Sequence, residues 1–169
     1  MSGPRLFEPL TVGGLTLANR IVIAPMCQYS ATDGRMSDWH TIHLGNLALS
    51  GAGLLTIEAT AVVPEGRISY GDVGLWDDET EAAMADVLAS VRRHSDMPIA
   101  IQLAHAGRKA SCEVPWRGGH QIGPDAPNGW QTYAPSALPF AATDNPPVTL
   151  DAAGLGRVRD AFAAAAVRS

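Results

Sequence analysis

Three short apolar runs, each followed by a stretch with helical periodicity, constrain this chain more than any other feature. Ile21 to Ala24, closed by Pro25, is too short for a helix and reads as a strand buried on both faces. After a turn at Asp33–Gly34, the cap-type residues Ser37 and Asp38 open a helix that carries Trp39, Ile42 and Leu47 at helical spacing and stops before Gly51. Leu54 to Ala59 is a second apolar strand, and a clearer helix follows from about Asp78. In it Ala83, Met84, Val87, Leu88 and Val91 share one face. Acids from Asp77 to Glu81 crowd its start and Arg92, Arg93 and His94 its end, as the helix dipole favours. Pro98 admits a third strand, Ile99 to Leu103, and Asp151 to Ser169 sets Leu155, Val158, Phe162 and Ala165 on one helical face.

A repeated strand–helix rhythm implies a parallel sheet or barrel. Three units close neither, because a parallel sheet needs helices on its faces and a barrel needs eight strands. The expectation is part of a larger α/β fold, with an open three-stranded α/β domain as the alternative. Between the third strand and the last helix, Ser111 to Pro147 is broken by Gly118–Gly119, Pro124, Pro127, Asn128–Gly129, Pro135, Pro139 and Pro146–Pro147. Its aromatic residues Trp116, Trp130, Tyr133 and Phe140 favour an ordered cover over a flexible linker.

Charge and motif content narrow the function. A net charge of -5 and no basic run longer than Arg92–Arg93 or Arg108–Lys109 argue against a nucleic-acid surface. No stretch approaches the roughly 20 apolar residues of a membrane span. The start lacks the apolar core of a secretory signal, so a cytoplasmic protein is expected. Cys27 and Cys112 are too few for a disulfide framework and fit no metal pattern, which leaves reduced thiols. No Gly-x-Gly-x-x-Gly follows a strand, and Gly-x-Ser-x-Gly and the Walker pattern are absent.

In a parallel α/β sheet or barrel, side chains just past the C-terminal strand ends converge on one site. In this chain those positions hold Met26, Cys27, Gln28 and Tyr29, then Glu58, Ala59 and Thr60, then Gln102 to His105 with Arg108 and Lys109. Cys27 is either a nucleophile or a small buried hydrophobe, and nothing beside it in sequence activates it. Tyr29 either donates to a ligand oxygen or packs its ring. The Gln102 amide suits a planar heterocycle that presents an N–H beside a carbonyl, with a backbone partner as the plainer reading. His40 and His43, three apart, invite a metal reading but lack a third ligand. His105 either meets an anion with Arg108 and Lys109 or holds its own loop.

The strings LANRIVIAPMCQYS (17–30), EATAVVPEGR (58–67), IQLAHAGRKA (101–110) and APSA (134–137) resemble Old Yellow Enzymes in order and spacing. Cys27 with Tyr29 resembles the bacterial thermophilic-like class, and the Trp-rich stretch from Ser111 to Tyr133 is similar to a subset of it. The resemblance implies a (β/α)8 TIM barrel with FMN at its C-terminal face. Residues 1–169 then supply the first three β/α units and a long loop after the third strand of a single FMN-binding domain. It implies reduction of activated C=C bonds, enones and related alkenes, with NADPH or NADH as hydride donor. It places Ala24, Pro25, Met26 and Cys27 along the flavin, Ala59 as a small contact, and Gln102 on the flavin's pyrimidine edge. Tyr29 hydrogen-bonds the substrate, and Cys27 modulates the flavin rather than attacking covalently.

The family's carbonyl-polarising His/His or His/Asn pair and its proton-donating Tyr belong to the strand unit after the last helix, which these 169 residues do not include. The resemblance therefore implies the remaining barrel as a partner, expected as a second polypeptide joined near Ser169, in a homo-oligomeric enzyme. An incomplete barrel exposes apolar edges, an aggregation hazard. Two alternatives stand beside this reading: a non-catalytic half-barrel that binds or assembles with a partner, and another FMN barrel oxidoreductase of the dihydroorotate type.

Overall fold

A computed structural model describes residues 4–169. The chain opens with an antiparallel hairpin, β1 (Leu10–Val12) and β2 (Leu15–Leu17), turned by Gly13 in the left-handed region at φ 58. Then come β3 (Val22–Ile23), α1 (Asp38–Ala48), β4 (Leu54–Ala61), α2 (Asp78–Arg92) and β5 (Ile99–Ala104). Two short strands, β6 (Tyr133–Ala134) and β7 (Val148–Thr149), pair within the long segment that leads to α3 (Ala152–Arg168). The sheet is parallel, in the order β3-β4-β5. Parallel neighbours need crossovers, and the helices supply them.

The pleat sends alternate side chains to opposite faces. Leu55 and Ile57 of β4 pack with Leu44 and Ala48 of α1 and Met84, Val87 and Val91 of α2; Ile23, Ile99, Ile101 and Leu103 join them. Burial of each such aliphatic side chain contributes about 1.5–3 kcal/mol. The other face carries Val22, Thr56, Ala59, Ala100 and Gln102, and no helix of the described chain covers it. This corrects the expected first strand. It is shorter than Ile21 to Ala24 and buried on one face only, with Val22 51% exposed, because the helices lie on a single side.

Helix α1 starts at the expected cap, Ser37, but turns a different face inward. Trp39 and Ile42 are exposed, while His40, Leu44 and Ala48, spaced four apart, are buried. The cause is polar. The His40 ring reaches back to accept the Ser37 N–H at 3.0 Å and is held 1% exposed against Glu58. Helix α2 keeps its expected bounds, capped by Asp77, which accepts the Thr80 N–H at 2.8 Å.

Loops at the C-terminal sheet edge brace one another. Ala31 donates to the Gly71 carbonyl at 2.9 Å, and Gly74 to that of Gly34 at 2.8 Å. The Trp76 indole fills the space where a Cβ of either Gly34 or Gly74 would stand, 2.3 and 2.0 Å from ring atoms. Arg67 lies between two indoles, its guanidinium 5.5 Å from the Trp76 ring centre and 5.0 Å from that of Trp130. Trp130 also donates to the Glu65 carbonyl at 3.0 Å, so the long segment is ordered against the β4–α2 loop.

Candidate functional site

Three strand ends meet at this edge, and a bulge in β4 decides what they present. Ile57 pairs with Ile101, yet the next pair is Ala59 with Gln102, so Glu58 is an extra residue. The insertion puts Ala59 on the open face beside Gln102 and turns Glu58 inward, 5% exposed. Ala59 offers only a methyl group. Gln102 is exposed, with its amide free of the strand.

Cys27 is half-buried in the segment after β3. Burial pushes its thiol up to about 11; the Asp72 and Glu58 carboxylates add to the rise, and hydrogen bonding to the backbone of Ala59 opposes it. The thiol is therefore neutral near pH 7. Burial also raises the Tyr29 hydroxyl, with further contributions from Cys27, Asp72 and Glu58. Tyr29 adopts φ 51, unusual for an aromatic residue, and its ring meets Trp116 edge-on at 6.0 Å and 80°. Met26 is 55% exposed, and Ala24 and Pro25 precede it along the same edge.

The cationic cluster is split. His105 holds its own loop, accepting the Gly107 N–H at 3.1 Å, and burial lowers its pKa. Arg108 donates to the Ser136 hydroxyl at 3.1 Å, and the Lys109 ammonium lies 4.3 Å from the Phe140 ring centre. Tyr29, Arg108, Lys109, Cys112 and Phe140 line a groove of about 430 Å³ beside the strand ends. Among the described residues no cluster of three or more His, Cys, Asp or Glu can hold a metal ion, and no helix is long and apolar enough to cross a membrane.

Two carboxylates are buried here: Glu58, placed at a strand end by the sequence but given no role, and Asp72, which the sequence did not single out. Glu58 accepts the Gln28 N–H at 2.9 Å and lies 3.6 Å from His40 Nε2. Asp72, 1% exposed, accepts from the Ile68 and Ser69 amides at 2.7 and 3.2 Å and from the Ser69 hydroxyl at 2.8 Å. An acid inside the run Leu54 to Ala61 was a visible signal, since a buried charge demands partners.

The fold has known counterparts. The chain is 41% identical over 168 residues to an NADH:flavin oxidoreductase of Gibberella zeae, covering 98% of this chain and 40% of that protein. It is 40% identical over 167 residues to an NADPH dehydrogenase of Bacillus cytotoxicus, covering 98% and 43%. The chain thus spans less than half the length of these relatives. Among solved structures, morphinone reductase superposes with a TM-score of 0.79 at 29% identity, over 99% of this chain and 45% of its own. An Old Yellow Enzyme from Pichia sp. AKU4542 shares the fold with a TM-score of 0.80 at 22% identity, over 97% and 42%. The strand–helix units are accordingly the N-terminal part of an eight-stranded β/α barrel. The model of the NADH:flavin oxidoreductase / NADH oxidase family matches residues 5–169, and the chain belongs to that family.

Proposed function

We propose that this edge is the flavin-holding face and one substrate wall of an FMN-dependent reductase of activated alkenes. The observation that carries the reading is the Ala59–Gln102 pair on the open sheet face, created by the β4 bulge. FMN is the flavin of the family, and the donor set fits it. The exposed Gln102 amide offers a donor and an acceptor side by side, as an N–H next to a carbonyl on a ring edge requires. The Ala59 methyl group permits close approach of a flat ring, and Ala24, Pro25, Met26 and Cys27 supply the adjoining wall.

Held by Gln102, Ala59 and the Ala24–Cys27 wall, FMN would supply hydride transfer between NADPH or NADH and the alkene. The chain's own groups orient and polarise. Gln102 fixes the ring edge. Cys27 sets a neutral, polarisable sulfur against the ring. Tyr29, protonated at neutral pH, donates a hydrogen bond to a substrate oxygen such as an enone carbonyl. Barrel units outside these residues complete the reaction, in the same or a second polypeptide and within a homo-oligomer, and the free half-buried thiols suit a reducing cytoplasm.

Intact mass, the visible spectrum and an FMN titration of the purified protein test this. Gln102→Leu is expected to weaken FMN binding about tenfold, near the loss of one or two net hydrogen bonds. Equal affinity of wild type and variant overturns the assignment. FMN binding without enone-dependent oxidation of NADPH favours the second reading, a half-barrel that binds but does not catalyse. That reading draws on the open sheet face.

A further inference from the structure

A carboxylate within the apolar strand Leu54–Ala61 costs several kcal/mol to bury unless it is satisfied. We propose that Glu58, the extra residue of the β4 bulge, is a positioning residue that fixes Cys27 and Tyr29 through the Gln28 amide between them, with His40 as its brace. The role assigned to Cys27 and Tyr29 rests on the function proposed above; the geometry of the bracket does not.

Each hydrogen-bonding group of Gln28 is occupied. Its N–H donates to Glu58 Oε2 at 2.9 Å, and its carbonyl accepts from the Ser30 hydroxyl at 2.9 Å. Its side-chain nitrogen donates to the Met26 carbonyl at 2.9 Å, and its side-chain oxygen accepts from the Trp39 indole at 3.2 Å. Gln28 is therefore a bracket, and the side chains left to act are those on either side of it.

The bracket has a packed backing. Nδ1 of His40 accepts the Ser37 N–H, and its Nε2, buried without a hydrogen-bond partner, lies 3.6 Å from Glu58 Oε1. Strand β4 and the Cys27–Tyr29 segment are hydrogen-bonded through this one carboxylate, and helix α1 packs His40 against it. The left-handed backbone of Tyr29, strained for a non-glycine residue, requires such restraint. Glu58 restrains it on one side and the Ala31–Gly71 hydrogen bond on the other.

Groups facing the Cys27 thiol are Glu58, Asp72 and the Tyr29 hydroxyl, while His40 and His43 lie near Glu58 on α1. Burial does most to keep Cys27 a thiol and Asp72 adds to it; the carboxylate that positions Cys27 disfavours its thiolate further.

The test uses this chain without flavin, so it can fail while FMN binding stands, and the reverse. In a Cys112→Ser background, Glu58→Gln keeps an acceptor for Gln28 but removes the charge. Its pH profile of Cys27 alkylation by iodoacetamide, read by intact mass, is expected to shift down, with reaction at pH 8.5 roughly three- to tenfold faster. Glu58→Ala removes the acceptor too, and amide exchange at Gln28 is expected to accelerate strongly in Glu58→Ala but not in Glu58→Gln. Equal exchange at Gln28 in wild type and Glu58→Ala overturns the proposal, and if Glu58→Ala does not fold, Glu58→Asp, whose shorter side chain withdraws the acceptor from the Gln28 N–H, is read in the same way. A folded Glu58→Gln protein with an unchanged alkylation profile overturns the electrostatic part of the assignment.

Discussion

Gly71 faces the backbone carbonyl of Tyr29 so closely that a Cβ at position 71 would stand 2.5 Å from its oxygen. The contact is with backbone, so no side-chain rotation relieves it. Gly71→Ala is expected to destabilise the protein by about 1–3 kcal/mol, the range for overpacking, and to broaden or shift the Tyr29 ring resonances. Urea unfolding together with aromatic NMR reads both; a neutral substitution with unmoved Tyr29 signals removes the brace from the account.

Asp72 carries a pH dependence of unusual sign. Burial pushes its carboxyl up to about 6, against the opposing hydrogen bonds from Ser69 and Ile68. Above the ordinary aspartate value of 3.8 the unfolded chain releases its proton first, so the native state binds more protons between about pH 4 and 6, and stability falls as pH rises through that window. The loss is about 3 kcal/mol, from roughly two pKa units. Asp72→Asn lacks this slope, so its stability relative to wild type should improve between pH 4 and pH 7. A relative stability that worsens over that interval contradicts the assignment.

Arg67 stacks between Trp76 and Trp130 and donates to the Pro64 carbonyl at 2.9 Å. Burial lowers its pKa, and the Asp33 and Asp72 carboxylates oppose the shift. A guanidinium stays charged in proteins, so both rings meet a cation. Arg67→Ala is expected to cost about 1–2 kcal/mol and to speed proteolysis within residues 111–147. Arg67→Lys restores charge but not the planar stack and should recover only part of the protection. Limited trypsin or chymotrypsin digestion distinguishes the three proteins.

The cap of α2 gives a simpler expectation. Asp77 accepts from the Thr80 amide at 2.8 Å and from its hydroxyl at 2.9 Å, and the amide bond holds its carboxyl below the usual range. Its contribution is present above the ordinary aspartate pKa and is lost as pH falls through the lower native value. Asp77→Ala should cost about 1 kcal/mol by thermal or urea unfolding at pH 7, with a smaller difference at pH 2.

Legibility in the sequence followed the physics of each element. Helix α2 was readable because its cap, its apolar face and its terminal charges agree. Helix α1 was readable in extent but not in facing, because a histidine bonded back to Ser37 and packed against a buried acid turns inward in place of Trp39 and Ile42. The β1–β2 hairpin carries a plain signal, Gly13–Gly14 between Leu-Thr-Val and Leu-Thr-Leu, that the sequence reading passed over. The strand ends bearing Cys27, Ala59 and Gln102 were legible as a convergent edge. The part of Glu58 was not, because a bulge is a mismatch between two strands and cannot be read along one of them.

Trp76 occupies the room of two missing side chains, at Gly34 and at Gly74, whose backbones also bond to each other. The three positions are therefore not free to vary separately. A larger residue at 74 is accessible only after position 76 has become small, whereas Gly34 also holds φ 79, where a side chain is strained whatever room is made. Among natural variants positions 74 and 76 should drift as a pair while glycine stays at 34, and an alanine at 74 accompanied by an intact tryptophan is the combination that selection should rarely retain.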